Sequence, residues 1–507
     1  MLALALLAGC SARTTGATDI QTINSRFEFS AKAQLNAEGS CSEHCTFFMR
    51  WRHMGTDAWT NGPSHSVGAV GSTRWHENVE GLTPFEKYEY QTCGKEDSWS
   101  SVVCVGPNGR PDTTQKFATN IGFGDWPQFG YNGAHASVTP FEQTIDAGNV
   151  SKLGQAWFGL LRDATSPSVA NGVVYVAGRR LHSGNGLVTA YRATCRIDGN
   201  RCRQRLWTAD AGTAAISTAP AITFNRVVVG SEDGKLYAFN TADGSPAWTA
   251  STGGPIRSSP LYANGLIYVG SEDGSLYAFN CSSGPCTPFW KTATFGAITS
   301  SPANDGFTGS SGGRVFAGSA DHHLYAFNAT QGGVVWTGLT GGAIRSSPTV
   351  ANGVVYVGSD DGKFYAFQSD CVAPLGNCTP TWTATTGGPI TSSPAVKNAD
   401  GGETVYFGSS DGKLYAYTAS CDVCSQAGQF LWTGTTGGPI TTRPAVANGV
   451  VYVGSEDGKL YAFDADGCGA ASCQPLFSTT TAGSPGSPAV ADGEVYFRDR
   501  SGVRAYR

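Results

Sequence analysis

The stretch Pro444-Ala-Val-Ala-Asn-Gly-Val-Val-Tyr-Val-Gly-Ser-Glu-Asp-Gly-Lys-Leu-Tyr-Ala-Phe463 decides the fold, because the chain repeats it with small changes eight times after Ser166. Each copy has a Pro, an Asn-Gly or similar turn, an apolar run ending in Gly-Ser or a near match, an Asp-Gly turn, and Leu-Tyr-Ala-Phe or a near match. The prolines that anchor the copies are 40 to 53 residues apart: Pro167, Pro220, Pro260, Pro302, Pro348, Pro394, Pro444 and Pro488. Self-similarity at this period indicates a propeller or a solenoid, in which no single unit buries its own apolar face.

Each copy contains three short runs of strand type. In the quoted copy they are 445–447, 450–453 and 460–463, and no run of ten or more residues has helical periodicity. Asn448-Gly449 and Asp457-Gly458 supply the positive φ that tight hairpins need. A large aromatic residue marks a fourth strand in the first seven copies: Trp207, Trp248, Trp290, Trp336, Trp382, Trp432 and Phe477.

The eighth copy stops at Tyr506-Arg507, before any fourth strand. The missing strand is present upstream of the first copy, at 153–157 (Leu-Gly-Gln-Ala-Trp). Pairing this strand into the last blade would close a ring and remove an exposed edge, whereas an open solenoid needs no such exchange. We therefore predict an all-β fold, a closed eight-bladed propeller with Trp157 in the outermost strand of the blade that holds Val490 and Val495.

The copies resemble the pyrroloquinoline quinone (PQQ)-type propeller repeat. The resemblance rests on the Gly-Ser-x-Asp-Gly-x-Leu-Tyr-Ala-Phe core and the Trp that follows it, and on two opening segments, Asp125-Trp-Pro-Gln-Phe-Gly-Tyr-Asn-Gly-Ala-His135 and Asn149-Val-Ser-Lys-Leu-Gly-Gln-Ala-Trp157. It covers roughly residues 125–507 and implies the propeller fold. It selects no function, because the family contains both quinoprotein dehydrogenases and lipoprotein scaffolds that bind no quinone.

The first ten residues, Met1-Leu-Ala-Leu-Ala-Leu-Leu-Ala-Gly-Cys10, resemble a bacterial lipoprotein signal whose lipobox is Leu7-Ala-Gly-Cys10. The apolar run is too short to span a bilayer as a mature helix. We expect a signal peptide at 1–10, lipid on Cys10 and a flexible tether at 11–26. The protein would then be exported and anchored in the cell envelope, facing the periplasm or the cell surface. An ordinary secretory signal with a chance Cys is the alternative.

Residues 27–120 lack the repeat but contain strand-like runs, so we expect a separate small β-sandwich before the propeller at 121–507. The stretch 81–90 (Gly-Leu-Thr-Pro-Phe-Glu-Lys-Tyr-Glu-Tyr) resembles the tyrosine-corner region of fibronectin type III domains, in which a Leu and a Pro precede a strand-F Tyr. The resemblance implies that Trp51 is the core Trp of the early strands. Some other small β-sandwich is the alternative.

Of the 15 cysteines, Cys10 would carry lipid and the others fall into close pairs. The pairs are Cys41/Cys45, Cys93/Cys104, Cys195/Cys202, Cys281/Cys286, Cys371/Cys378, Cys421/Cys424 and Cys468/Cys473. An even set of close pairs after an export signal predicts disulfides in an oxidising compartment. The last five would each close a hairpin loop, worth about 2 kcal/mol apiece. Connectivity among the first four cysteines stays open.

Redox and zinc interpretations of these cysteines are weaker. Cys421-Asp-Val-Cys424 has thioredoxin spacing but no βαβ context, and a zinc site would have to join pairs on different blades. The formal net charge of −5, with 14% charged residues, predicts neither a nucleic-acid surface nor a polybasic membrane patch. We expect a monomer that meets the membrane only through its lipid.

The repeat places a ring of polar residues near one mouth of the channel. In a four-stranded meander, the Asp-Gly turns share one face (the Asp-Gly face) with the blade-to-blade loops, and the Asn-Gly turns and Cys hairpins share the opposite face (the Asn-Gly face). The innermost strands begin at the blade-to-blade loops. One register near the mouth therefore collects Ser217, Arg257, Thr299, Arg345, Thr391 and Thr441, with Arg443, Ser259, Ser301, Ser347 and Ser393 two residues further on. These residues could bind an anion or an acidic loop of a partner, or simply hydrate a channel too wide to fill.

Three classes of function fit this pattern. We favour a non-catalytic envelope lipoprotein whose propeller binds a protein partner, similar to the propeller lipoproteins of outer-membrane β-barrel assembly. A glycan- or polysaccharide-binding surface protein is the second, suggested by the fibronectin-like module. The third is a PQQ-dependent dehydrogenase.

Resemblance to the dehydrogenases would imply a disulfide between adjacent cysteines, a calcium cage of carboxylates and Asn, and a catalytic Asp. The chain has no Cys-Cys, and its inner register is Ser, Thr and Arg. We therefore predict no enzyme activity, no cofactor and no metal site. His322-His323 replaces the usual Gly-Lys of the fourth copy and is either a degenerate turn or a metal-binding pair.

Overall fold

The computed structural model of the chain divides into two compact units, Met1–Phe123 and Gly124–Arg507. In the first unit it describes the backbone of nine strands. In the second it describes residues 127–507 except 131, 133, 140–143, 181–182, 194–201, 203–204, 224, 264, 282–285, 306–312, 373–375, 400–401, 420–426 and 492, with backbone only at 398–399 and 402. Within the described residues, no helix has the length and apolar character needed to cross a bilayer.

The strands of the first unit form two sheets. They are β1 Cys10–Arg13, β2 Ala33–Cys41, β3 Cys45–His53, β4 Thr60–Asn61, β5 His65–Val67, β6 Gly71–Val79, β7 Lys87–Glu96, β8 Val103–Val105 and β9 Gln115–Ala118. One sheet has the order β1-β2-β6, and the other has β4-β3-β7-β8, with β5 also on β3 and β9 also on β7. The backbone of Cys10–Arg13, where lipidation and the start of the tether at 11–26 are expected, pairs with β2 as strand β1. The side chain of Cys10 and residues 14–26 lie outside what the structure describes. The fibronectin type III assignment of 27–120 stays a prediction.

The second unit is a closed propeller of eight antiparallel blades, as the repeat predicted. Before blade 1 come β10 Val138–Thr139, a 3₁₀ turn Val150–Lys152 and β11 Gln155–Leu160. Blades 1 to 4 are β12 Ser168–Ala170, β13 Val173–Arg179, β14 Gly186–Arg192, β15 Arg205–Asp210; β16 Ala221–Thr223, β17 Arg226–Gly230, β18 Lys235–Asn240, β19 Pro246–Ser251; β20 Leu261–Ala263, β21 Leu266–Gly270, β22 Ser275–Phe279, β23 Pro288–Ala293; and β24 Ala303–Asn304, β25 Arg314–Gly318, β26 His323–Asn328, β27 Val334–Leu339.

Blades 5 to 8 follow the same plan. They are β28 Thr349–Ala351, β29 Val354–Gly358, β30 Lys363–Gln368, β32 Trp382–Thr385; β33 Ala395–Ala399, β34 Gly402–Gly408, β35 Lys413–Thr418, β36 Phe430–Thr435; β37 Ala445–Ala447, β38 Val450–Ser455, β39 Lys459–Asp464, β41 Phe477–Thr480; and β42 Ala489–Ala491, β43 Glu494–Asp499, β44 Gly502–Tyr506. Two further short strands, β31 Asn377–Cys378 and β40 Ser472–Cys473, lie in the Cys loops of blades 5 and 7.

The ring closes through the upstream strand. β11 pairs antiparallel with β44, and the last sheet has the order β11-β44-β43-β42. Trp157 is 1% exposed, its indole N–H donates to the carbonyl of Ala193 at 2.8 Å, and its ring packs against Tyr191 and Tyr496. The predicted position of Trp157 in the outermost strand of the eighth blade is confirmed.

The hydrophobic core lies between neighbouring blades. Phe364 of blade 5 stacks on Phe407 of blade 6 with ring centroids 3.9 Å apart, and both side chains are fully buried in one cluster. Other clusters join blades 2 and 3, 3 and 4, 4 and 5, and 6 and 7 in the same way. Each blade therefore depends on its neighbours for burial, which is the physical reason for a closed ring.

The Cys loops bind the preceding blade. Disulfides join Cys281 to Cys286, Cys371 to Cys378 and Cys468 to Cys473. β31 runs parallel beside β27 of blade 4, and β40 runs parallel beside β36 of blade 6. The N–H of Cys202 likewise donates to Phe158 in β11 of blade 8. The loops thus extend the outer edges of their neighbours, an arrangement that the repeat alone did not indicate.

The remaining predicted cysteine pairs fall wholly or partly outside the described side chains. They are Cys41/Cys45, Cys93/Cys104, Cys195/Cys202 and Cys421/Cys424. The backbone of β7 and β8 does place Cys93 directly opposite Cys104.

Candidate functional site

A segment that precedes the blades, residues 127–139, crosses the central channel. Its groups bind five innermost strands, which belong to blades 2, 3, 5, 6 and 7. The N–H donors and their acceptors are Ile222 to Pro127 O, Tyr262 to Gln128 Oε1, Val350 to Ala134 O, Val396 to Ala136 O and Val446 to Ser137 O. Blades 2 and 3 lie opposite blades 6 and 7 in a ring of eight. The segment must therefore cross the axis, and we call it the crossing segment.

Arg443 anchors the crossing segment from blade 7. Its side chain is only 2% exposed and bonds to His135 O and Ser137 Oγ. It also donates to Thr349 Oγ1 at 2.6 Å and to Pro394 O at 2.8 Å. Burial lowers the pKa of Arg443 well below its usual range. Burial, followed by the Arg443 charge, lowers the pKa of His135. The prediction that Arg443 lines an open mouth is corrected: the crossing segment folds over its guanidinium.

The inner serines form a ring of hydrogen bonds between blades. The backbone N–H at one register donates to a serine hydroxyl of the next blade at 2.9–3.0 Å. The donors Ala219, Ser259, Ser301, Ser347 and Arg443 reach the hydroxyls of Ser259, Ser301, Ser347, Ser393 and Ser487. These hydroxyls hold blades together and are not free to line a binding site.

The arginines at the mouth have partners in the protein itself. Nε of Arg257 lies 3.1 Å from Glu272 and 3.8 Å from Glu232, and Nε of Arg345 lies 2.8 Å from Asp360. Ser217, Thr299, Thr391 and Thr441 occupy the same register, and Thr441 donates to Glu456 Oε1 at 3.1 Å. Acids of the Asp-Gly turns thus neutralise both arginines.

The repeated aspartates hold the turns of the Asp-Gly face. Each Oδ2 accepts the hydroxyl of the Tyr four residues later at 2.5–2.8 Å. The pairs are Asp233–Tyr237, Asp273–Tyr277, Asp321–Tyr325, Asp361–Tyr365, Asp411–Tyr415 and Asp457–Tyr461. Several of these carboxylates also accept an N–H from the preceding blade-to-blade loop, such as Gly341 to Asp361 at 3.0 Å. The aspartates are therefore structural.

These contacts predict late ionisation of several phenols. Burial, and then the hydrogen bond to aspartate, raise the pKa of Tyr237, Tyr365 and Tyr461 to about 12. Folding favours the neutral phenol, so this contribution to stability is present below about pH 10 and is lost as the pH rises through about 12. We expect near-ultraviolet titration to show a late class of tyrosines, with stability falling over that window. Titration of all 19 tyrosines near pH 10 in the folded protein would contradict this.

Among the described residues, no group of three or more His, Cys, Asp or Glu side chains could hold a metal ion. His322, with φ 75°, occupies the glycine position of its turn. Nδ1 of His323 lies 3.0 Å from the carbonyl oxygen of Asp321, beside it in the turn. The turn geometry favours the degenerate-turn interpretation of this pair.

Comparison with known proteins places the propeller among PQQ-type repeats. The family described as outer membrane protein assembly factor BamB matches residues 184–286, 287–423 and 382–507. A quinohemoprotein alcohol dehydrogenase of Comamonas testosteroni is 28% identical over 142 residues, which span 25% of this chain and 18% of that relative. The match thus covers under a fifth of the relative's own length.

Two solved structures share the fold at lower sequence identity. BamB from Moraxella catarrhalis has a TM-score of 0.52 at 21% identity, covering 70% of this chain and 97% of that one. The quinohemoprotein alcohol dehydrogenase from Comamonas testosteroni has a TM-score of 0.55 at 16% identity, covering 75% of this chain and 80% of that one. Both structures therefore share the propeller fold with this chain.

Proposed function

Since the chain belongs to the family described as outer membrane protein assembly factor BamB, we propose that it is a non-catalytic protein whose propeller serves as a scaffold for a protein partner. The proposal includes export, lipid on Cys10 and attachment to a bacterial membrane through the tether at 11–26. It also includes a fibronectin type III-like domain at 27–120 before the propeller at 121–507, and a monomeric state.

One observation carries this proposal: the polar groups around the channel already serve the fold. The guanidinium of Arg443 is hydrogen-bonded to the crossing segment and to blades 5 and 6. The hydroxyls of the inner serines accept backbone N–H groups of neighbouring blades. Arg257 and Arg345 are paired with acids of the turns. Electrophilic or acid–base catalysis needs positioned groups that are free to meet a substrate. This commitment of the inner groups supports a function at the outer surfaces of the faces.

Photo-crosslinking in envelope membranes tests the scaffold. A photoreactive amino acid is placed at Phe295 on the Asp-Gly face or at Val372 in a Cys loop of the Asn-Gly face, since these side chains are 94% and 96% exposed. We expect an adduct of defined mass from at least one face, whose tryptic digest contains peptides of a second protein. A buried position such as Phe316 is the matched control and should give none. Adducts whose added mass is lost on periodate treatment, and whose digests contain no peptides of a second protein, would favour a glycan ligand and contradict the proposal.

A cofactor test separates the scaffold from the dehydrogenase branch. Thermal melts are compared with and without PQQ and Ca²⁺, and dye-linked alcohol oxidation is assayed in parallel. Because a ligand that binds only the folded state raises Tm, a functional quinone site would shift the melt by several degrees. We expect no shift and no turnover. PQQ-dependent turnover would overturn the non-catalytic assignment.

A further inference from the structure

At one aligned position on the Asp-Gly face, the charge of the side chain changes from negative to positive around the ring. It is the residue that follows the Gly-Ser position of each second strand, aligned by the pairing of second and third strands. From blade 1 to blade 8 it holds Arg179, Glu232, Glu272, Ala320, Asp360, Ser410, Glu456 and Arg500. Acids occupy it in four blades, and arginines occupy it only in blades 8 and 1. These two blades are neighbours where the ring closes.

Blade 8 also replaces a glycine of this turn with arginine. The residue two before that aligned position is Gly358 in blade 5, for example, and a Cβ there would lie 2.2 Å from Ile390 of the next loop. In blade 8 the corresponding residue is Arg498, and the loop that faces it carries Gly486. A Cβ on Gly486 would lie 2.5 Å from the Arg498 side chain, so the glycine provides the space that the arginine fills.

Arg500 packs against a glycine in a similar way. Its side chain lies over Gly483 of the same loop, and a Cβ there would lie 2.9 Å from Arg500 Cδ. Gly483 has φ 95°, a conformation that favours glycine. Both arginines of blade 8 thus rest on glycines of the preceding loop.

These arginines differ from Arg257 and Arg345 in their lack of partners. Among the described residues, Arg162, Arg498 and Arg500 have no carboxylate within ion-pair distance, and Arg179 has only Asp163 at 3.8 Å. Asp499, beside them in sequence, is fully buried and bonded to Arg504, Ser501 and the N–H of Ala482. Burial lowers the pKa of Arg498, against the opposing effect of Asp163 and Asp499. In the described part of the chain, Asp163 is thus the one carboxylate within ion-pair distance of any of these four arginines, so they carry a net positive charge.

Arg162 belongs to the same sector. Its carbonyl accepts the N–H of Arg179 at 2.9 Å, so the loop that follows β11 lies directly beside the end of β13. We define the arginine sector as Arg162, Arg179, Arg498 and Arg500.

We propose that the arginine sector binds an acidic segment of the protein partner, with carboxylate side chains received by the guanidinium groups. Guanidinium binds carboxylates through paired N–H donors, and fixed arginines lose less freedom on binding than mobile ones. This assignment rests on the proposed scaffold function and moves the acidic-partner site from Arg257 and Arg345 to the closure of the ring. The sequence already indicates this site, because Arg498 and Arg500 replace the small and mostly acidic residues that the other copies carry at these positions.

The test uses the full chain and a fluorescein-labelled decaglutamate peptide, with binding followed by anisotropy at low and physiological salt. The variant Arg498→Gln/Arg500→Gln removes two charges from the sector. The control Arg192→Gln/Arg226→Gln removes two from the Asn-Gly face, where both side chains are at least partly exposed. The variant loses two charge–charge contacts, one at an exposed and one at a half-buried arginine, so we expect it to bind about five- to tenfold more weakly. The control should stay within about twofold of the parent.

Several outcomes would overturn this site: equal loss in both variants, no binding of decaglutamate, or sector-dependent binding of anionic vesicles without binding of the peptide. The single variant Arg500→Glu, at an exposed position, guards against a folding defect and should weaken binding without moving Tm. Crosslinking separates the two proposals. An adduct from Phe295 that survives unchanged in the sector variant contradicts the sector but not the scaffold. Decaglutamate binding with no protein adduct at all contradicts the scaffold but not the sector.

Discussion

Deleting residues 150–160 is expected to turn a soluble protein into an aggregating one. The deletion removes β11, so β44 loses its partner over the register from Gln155 to Leu160. An unpaired strand presents a row of free N–H and C=O groups to other chains. The deletion also removes the buried Trp157 ring and uncovers Tyr191 and Tyr496. Size-exclusion chromatography with light scattering measures the effect.

Trp290→Ala is a matched control for this deletion. Trp290 lies in the corresponding strand of blade 3, is 9% exposed and donates to Ala329 O at 2.9 Å. Its loss should cost about 3–5 kcal/mol of unfolding free energy while every ladder stays paired. The control should therefore be less stable but monomeric. A monomeric deletion protein with an unchanged melting temperature would rule out closure by β11.

Arg443→Met is the second large effect that we expect. Methionine keeps most of the volume but cannot donate, so His135 O, Pro394 O and the hydroxyls of Ser137 and Thr349 lose a buried partner. Both carbonyls keep the hydroxyl of Thr349 as a hydrogen-bond donor, so the cost is that of the lost hydrogen bonds rather than of wholly unmet groups. At a net worth of about 0.5–1.5 kcal/mol for each lost bond, we expect a total loss of about 2–4 kcal/mol in urea unfolding.

The same variant should loosen the crossing segment. Phe129, under the Arg443 guanidinium at 5.1 Å, would become accessible to chymotrypsin well below the unfolding transition. The control Arg226→Met changes an arginine at the edge of the Asn-Gly face and should alter neither stability nor cleavage by a measurable amount. Full stability of Arg443→Met would show that blade contacts alone hold the segment.

Most of the propeller was predictable from the sequence because its signals are local and repeated. Asn448-Gly449 and Asp457-Gly458 specify turns within a few residues, and eight copies of one pattern specify the ring. The crossing segment was not predictable in this way. Arg443 meets His135 across 308 positions of sequence, and no periodic pattern links them.

For the channel mouth, the repeat predicted which residues share a register but not which partners their side chains have. Arg257 and Arg345 lie in the expected register, but their pairing with Glu272 and Asp360 depends on how one blade packs on the next. The repeat predicts inner serines whose hydroxyls line the channel mouth, whereas in the structure each of these hydroxyls accepts an N–H from another copy of the repeat. Contacts between copies cannot be deduced from any one copy.

Closure by β11 also determines how late in synthesis the ring can be completed. The partner of β11 is β44, so more than 300 residues must be made before the two strands can meet. Contacts between such distant parts of a chain form slowly, because a long loop must be ordered first. Until then, the Trp157 strand and the last blade each expose an edge. We expect the nascent chain to depend on holding factors most strongly just before blade 8 is complete, and slowed synthesis there to increase its aggregation.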